Sequence, residues 1–248
     1  MNIQIKRLQR GFTLVEMAIV LVIFGLLLAA LLVPIQAQRN LALQIETENT
    51  LNVAKKALLG FAQTQGRLPC PANVASNGAE SPVGGGACAQ QVGFLPAATL
   101  GIQPTDAQGF ALDGWNNRIR YAVNQADNAG NPNADFTTTD DMANEDIVNL
   151  QPNLRVCSTS TGITASRCSG GAEVNFLINN AVAVVYSTGA TFAQGSGGLD
   201  EDANLNPDGI FVSHEERSND PAGEFDHLVT WISPFVLYNA MIEAGQLH

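Results

Sequence analysis

An apolar run from Phe12 to Ile35 limits what this chain can fold into more than any other feature. Its 24 residues contain a single charged side chain, that of Glu16. A helix rises about 1.5 Å per residue, so the run would span roughly 36 Å. The hydrocarbon core of a bilayer is about 30 Å thick. The sequence therefore predicts a transmembrane helix over residues 12–35.

A short basic segment precedes this run. Residues 1–11 contain Lys6, Arg7 and Arg10 and no acidic residue. Because basic residues stay on the cytoplasmic side of a membrane, the segment predicts a cytoplasmic leader and export of the rest of the chain. A cleaved secretory signal has a shorter apolar stretch, of about 7–15 residues. That reading stays an alternative, as does a plain single-pass anchor in which the glutamate has no role.

Glu16 needs a cationic partner if it lies in a membrane, where a carboxylate costs about 2.5–3.5 kcal/mol even on insertion scales. No lysine, arginine or histidine lies between residues 12 and 35. Cleavage after Gly11 would give Phe12 a free amino group about one helical turn before the carboxylate. A carboxylate also suits the N-terminus of a helix. Proteolysis would thus create the missing cation.

The residues from Gly11 to Glu16, behind the basic leader, resemble the prepilin cleavage and methylation signal of type IV pilins and of type II secretion pseudopilins. The resemblance implies that a prepilin peptidase cuts between Gly11 and Phe12 and that the Phe12 amine is N-methylated. It also implies that Glu16 pairs with the Phe12 amine of a neighbouring subunit. Buried ion pairs are better supported as devices that set register than as sources of stability.

The same resemblance implies a structural role and a location. The chain would be a minor pilin or pseudopilin that assembles with other subunits on an inner-membrane platform. It would begin as a single-pass protein of the bacterial inner membrane with a cytoplasmic N-terminus. It would then enter a periplasmic pseudopilus or an extracellular pilus. The alternative is a binding or adhesion module, mounted on a pilin helix at a fibre tip or cell surface.

The predicted fold class is α+β, with a long N-terminal helix on an antiparallel sheet. Residues 36–65 turn polar but keep helix formers, so the helix is expected to continue to Gln65 and to stop at Gly66. An apolar stripe runs along this half: Leu41, Ile45, Leu51, Ala54, Leu58 and Phe61. Residues 66–248 are expected to form one exported β-rich domain. The resemblance implies the same lollipop arrangement.

Four segments of this domain have strand patterns: 118–124, 174–187, 210–213 and 227–232. After the last of them, Ser233 is a plausible N-cap, followed by Pro234 at the first helical position. The sequence therefore predicts a short C-terminal helix that ends near Gly245.

Four cysteines lie beyond the leader and the apolar run: Cys70, Cys88, Cys157 and Cys168. No pair has the C-x-x-C spacing of a zinc or redox site. Disulfides are expected in the oxidising compartment that export implies, with free buried thiols as the alternative. Three connectivities are possible, and the sequential one would close two short loops.

An acidic loop at residues 197–209 is the segment most typical of metal binding. Oxygen-bearing side chains occupy every second position: Asp200, Asp202, Asn204, Asn206 and Asp208. A hard cation such as calcium would use such ligands. The loop is not an EF-hand, because Leu205 stands where glycine is required and Phe211 where a bidentate glutamate is required. Calcium is therefore the one cofactor considered, against a solvated acidic loop.

The charge balance and the absence of catalytic motifs exclude several functions. Without the three basic residues of the leader, nine lysines and arginines remain against 23 acidic residues, a net charge of −14. Such a surface repels phosphate backbones, so nucleic-acid binding is not expected. His214–Glu215 lacks the second histidine of H-E-x-x-H, and neither a nucleophile elbow nor a P-loop is present. The chain is not expected to be an enzyme.

Overall fold

A computed structural model of the protein describes residues 11, 13–127, 134–145, 147–164, 167–168, 175–192, 195, 197–217 and 223–247, without the side chains of residues 29–37. Contacts divide the chain into two compact units, residues 1–44 and residues 45–248. Helix α1, Leu14–Gln65, is shared by both units.

In the first unit, the apolar side chains of α1 are exposed. From Leu14 to Leu28, the large hydrophobic side chains are between 49% and 88% exposed. No helix in the described part of the chain is long and apolar enough to cross a membrane. The transmembrane helix predicted over residues 12–35 is therefore not supported. Phe12 and the side chains of residues 29–35 lie outside the described residues.

In the second unit, the rest of α1 supplies one face of the main core. Leu51, Ala54, Leu58 and Ala62 are buried at intervals of three and four residues, which is the spacing of one face of a helix. Of the predicted stripe, Leu51, Ala54 and Leu58 are buried, Phe61 is half-buried, and Leu41 and Ile45 are exposed. The helix ends where predicted, because Gly66 has a positive φ of 67° and donates its N–H to the Ala62 carbonyl.

The core sheet is antiparallel and has four strands: β1 (Val92–Phe94), β2 (Arg120–Val123), β5 (Ala183–Ser187) and β7 (Leu228–Ile232). Their order in the sheet is β1–β2–β5–β7. All five side chains of β5 are buried, because the strand lies in the middle of the sheet between two layers of side chains. The antiparallel sheet is as predicted, although the short β1 was not.

A second sheet was not predicted. It contains β3 (Leu154–Cys157), β4 (Phe176–Ala181) and β6 (Ile210–Val212) in the order β4–β3–β6. Strands β3 and β6 are parallel, so this second sheet is mixed, and the antiparallel sheet of the prediction is the core sheet. The single strand predicted over residues 174–187 is wrong, because the chain leaves this sheet after Ala181 and enters the core sheet at Ala183.

Four short helices complete the domain: α2 (Ala97–Leu100), α3 (Asp141–Asn144), α4 (Leu199–Leu205) and α5 (Pro234–Glu243). The predicted C-terminal helix is confirmed as α5. The Ser233 hydroxyl accepts a hydrogen bond from the Val236 N–H, and Pro234 occupies the first turn. Helix α5 contacts α1, because the Gln63 side chain donates to the Ala240 carbonyl.

Candidate functional site

The first turn of α1 contains a capping box. Thr13 precedes the helix, and its hydroxyl accepts a hydrogen bond from the Glu16 N–H at 3.2 Å. The Glu16 carboxylate accepts one from the Thr13 N–H at 3.4 Å. Each residue thus satisfies a backbone donor that the helix leaves unpaired. The carboxylate consequently lies at the N-terminus of the helix, beside the backbone of the residue that follows Phe12.

Of the residues that the cleavage prediction names, Gly11 is exposed and Phe12 lies outside the described residues. Sequence reasoning missed the role of Thr13, although the T-x-x-E pattern that marks a capping box was present.

Both disulfides follow the sequential pairing. Cys70–Cys88 closes a segment of 18 residues, and Cys157–Cys168 closes one of 11. The first disulfide borders a buried ion pair, in which Arg67 donates two hydrogen bonds of 2.8 Å to Glu80. The second disulfide belongs to a separate cluster of buried side chains that includes Ile210, Val212 and Phe225.

Part of the acidic loop is helical. Residues 199–205 form α4, in which residues two apart point about 200° away from each other. Asp200 accepts the Ser160 N–H and pairs with His214 at 3.0 Å. Asp208 accepts the Ile210 N–H. Asp202 and Asn206 are exposed. Calcium binding by these five residues stays a prediction.

Helix α4 instead places a different residue, Glu201, in a buried cluster with Asp226 and His227. One oxygen or ring-nitrogen atom of each residue lies within 4.8 Å of the others. The three residues are 1%, 9% and 5% exposed. Three chain segments converge here: the turn after β5, the start of α4 and the two residues before β7. We call these three residues the α4 cluster.

Hydrogen bonds from backbone groups hold the carboxyl groups of the α4 cluster. Glu201 accepts from the Gly197 N–H at 2.6 Å and from the Asp226 N–H at 2.8 Å, one at each oxygen. Asp226 accepts from the Thr191 N–H at Oδ2. Its Oδ1 atom is buried and has no hydrogen-bond partner among the described residues. Gly189 packs so closely over this carboxylate that a Cβ there would collide with it.

Burial controls the protonation of this cluster. It raises the pKa of Glu201 to about 7. The backbone donors lower this pKa, and the neighbouring Asp226 carboxyl raises it. Burial also lowers the pKa of His227 to about 4, an effect that the positive charge of Arg120 increases. The folded cluster therefore favours a protonated glutamate and a neutral imidazole.

A histidine and two carboxylates can bind a metal ion together if one nitrogen of the imidazole ring is free to act as a ligand. Two hydrogen bonds to the backbone of Val212 fix the orientation of the Asn204 side-chain amide. Its oxygen accepts from the Val212 N–H at 2.6 Å, and its nitrogen donates to the Val212 carbonyl at 3.0 Å. Its nitrogen therefore faces the His227 Nδ1 atom at 3.1 Å, which makes Nδ1 an acceptor and leaves the ring hydrogen on Nε2. Nε2 is the ring nitrogen that lies 3.9 Å from Glu201. Because it carries hydrogen, it is not free to bind a metal, and the residues do not fit a metal centre.

Comparison with known proteins gives one result. The prokaryotic N-terminal methylation motif, which is the type IV pilin and pseudopilin signature, matches residues 6–32. No curated protein and no solved structure matches the chain. The match begins in the segment before α1 and extends into the first part of this helix. The motif implies assembly with other pilin subunits, anchored in a bacterial membrane.

Proposed function

We propose that this chain is a structural subunit, a minor pilin or pseudopilin, of a type IV pilus or a type II secretion pseudopilus. The observation that carries the proposal is a methylation motif at the start of a helix with exposed apolar side chains from Leu14 to Leu28. A contiguous apolar surface of this kind marks a contact with a membrane or another protein. Lipid would cover it before assembly, and helices of neighbouring subunits would cover it in the fibre.

Processing by a prepilin peptidase after Gly11 would give the helix its partner for Glu16. The capping box supports this step, because it places the carboxylate at the end of the helix where the new Phe12 amine would appear. We propose that the N-methylated Phe12 amine of one subunit pairs with Glu16 of its neighbour. The amine and the carboxylate can meet at only one axial offset between neighbouring helices, so this ion pair would fix the register of assembly.

The assembly partners follow from this chemistry. The subunit would meet the peptidase at the inner membrane and an assembly platform there, before it enters a periplasmic pseudopilus or an extracellular pilus. Its own catalytic activity is not required at any of these steps, since the fibre forms by helix packing.

Substitution of Glu16 tests the pairing. Glu16→Gln keeps an acceptor for the Thr13 N–H but removes the charge, whereas Glu16→Ala removes both. We expect both variants to be cleaved normally and to enter fibres at a fraction of the wild-type amount. The assay is the amount of subunit in isolated fibres relative to total cell protein.

The control is Glu48→Ala, which removes an exposed carboxylate farther along α1 and should not change assembly. Wild-type incorporation of the Glu16→Gln variant would refute the ion pair and leave only a capping role for this residue.

A further inference from the structure

The α4 cluster contains two buried carboxyl groups, those of Glu201 and Asp226. Among the described residues, no lysine or arginine forms an ion pair with Glu201 or Asp226. Two buried carboxylates in contact repel each other, and water cannot screen them. One positive charge must therefore reach this site from solution when the domain folds.

His227 cannot supply that charge. An imidazolium ring carries hydrogen on both nitrogens, but the Asn204 amide nitrogen already faces Nδ1 as a donor. Asn204 cannot turn its oxygen toward the ring without breaking both of its bonds to Val212. Of the other charged groups, Arg120 on β2 further disfavours a charged ring, and Asp202 on α4 opposes that effect weakly.

We propose that Glu201 and Asp226 share one proton in the folded protein, and that this proton holds the three chain segments of the α4 cluster together in a pH-dependent way. The proton lies between the two carboxyl groups and supplies the donor that Asp226 otherwise lacks. It is taken up from water when the domain folds, and its loss leaves two buried negative charges in contact. The turn after β5, the start of α4 and the entry to β7 then separate more readily.

The substitution Asp226→Asn tests whether Glu201 and Asp226 share a proton. Its amide oxygen can keep the hydrogen bond from the Thr191 N–H, and its nitrogen then takes the place of Oδ1 and donates permanently to the cluster. Glu201→Gln is a poorer mimic, because both of its oxygens accept backbone N–H groups and an amide nitrogen would oppose one of them. Asp202→Asn makes the same chemical change at an exposed position of α4 and is the matched control.

The measured quantity is the unfolding equilibrium constant of the full chain in detergent, for wild type and variant, at pH values from 4.5 to 8. Glu201 has a pKa near 4.5 when unfolded and about 7 when folded, so the raised value stabilises the acid form. Stability from this proton is complete below pH 4.5 and is lost as pH rises through 7. The wild-type constant should rise about tenfold per pH unit between pH 4.5 and 7 from this group, roughly 300-fold in total. Burial remains in Asp226→Asn, so the wild-type constant divided by that of the variant should also rise with pH, but by less than this full range. The ratio cancels the opposite contribution of His227.

A second readout does not depend on stability. The infrared carbonyl absorption of protonated carboxylic acids at pH 6 should be weaker in Asp226→Asn than in the wild type, while Asp202→Asn keeps the wild-type intensity. A ratio that does not change with pH, or an absorption of unchanged intensity in Asp226→Asn, overturns the proposal. It is also overturned if the pH dependence appears only after EDTA treatment, because a metal ion would then balance the two carboxylates.

Discussion

Removal of the Arg67 guanidinium should convert Glu80 from a stabilising residue into a destabilising one. Arg67 and Glu80 have side chains that are each only 5% exposed, and they form two hydrogen bonds of 2.8 Å. Glu80 also accepts the backbone N–H groups of Cys70 and Gly84, so it organises the loop that the first disulfide closes. Arg67→Met keeps most of the side-chain volume but leaves this carboxylate buried without its cation.

Breaking a buried ion pair on one side costs about 3–5 kcal/mol. For a domain of this size, each kcal/mol lowers Tm by about 2–4 °C, so Arg67→Met should lower Tm at pH 7 by roughly 6–20 °C. The matched control is Arg118→Met, because the Arg118–Asp106 pair is 28% and 20% exposed and should contribute about 1 kcal/mol.

The pH dependence of the two proteins should differ in sign. Burial alone would raise the pKa of Glu80, but hydrogen bonds from Arg67 and Gly84 and the charge of Arg67 leave it below its usual value. In the wild type, this residue therefore adds stability above pH 4.5 that is lost on acidification. In Arg67→Met burial prevails, so mild acid should recover part of the lost stability. A Tm within about 2 °C of wild type at pH 7, or a Tm deficit that grows toward pH 5, would refute this reasoning.

Two further predictions concern the core and the second disulfide. Leu58→Ala removes a fully buried side chain of α1 and should lower the unfolding free energy by about 2–5 kcal/mol in a denaturant titration. Val53→Ala, at a position of the same helix that is 51% exposed, is the control and should cost less than about 1 kcal/mol. Equal costs for the two variants would contradict the packing of this half of α1. Replacement of Cys157 and Cys168 by serine together should cost up to about 3 kcal/mol, because an 11-residue loop is no longer closed in the unfolded chain. An unchanged denaturation midpoint would contradict that estimate.

Local signals in the sequence were sufficient for the helices at the two ends of the domain. Gly66 ends α1 and Ser233 caps α5, and both effects involve only neighbouring residues. The sequence showed the strand pattern over residues 174–187 but not the division of this segment between two sheets. The alternation of apolar and polar residues indicates which side chains are buried, but it does not indicate which strand lies next to the segment. Strands β1 and β3, which are three and four residues long, were not predicted.

The α4 cluster shows a different limit of sequence reasoning. Glu201 and Asp226 are 25 positions apart, and each lies in a segment that is rich in other acidic residues. The pattern of alternating oxygens drew attention to Asp200 and Asp202, whereas the helix buries the residue between them. Only the tertiary fold selects Glu201, since its burial depends on Gly197 and on the chain before β7.

The intact mass of the protein purified from its producing cells tests the central claim most directly. The account predicts a chain that begins at Phe12 and carries one added methyl group, as the proposed cleavage after Gly11 and methylation of the new amine would produce. A mass that retains Met1, or one that begins beyond Ile35, would contradict the account, because Glu16 would then have no Phe12 amine with which to pair.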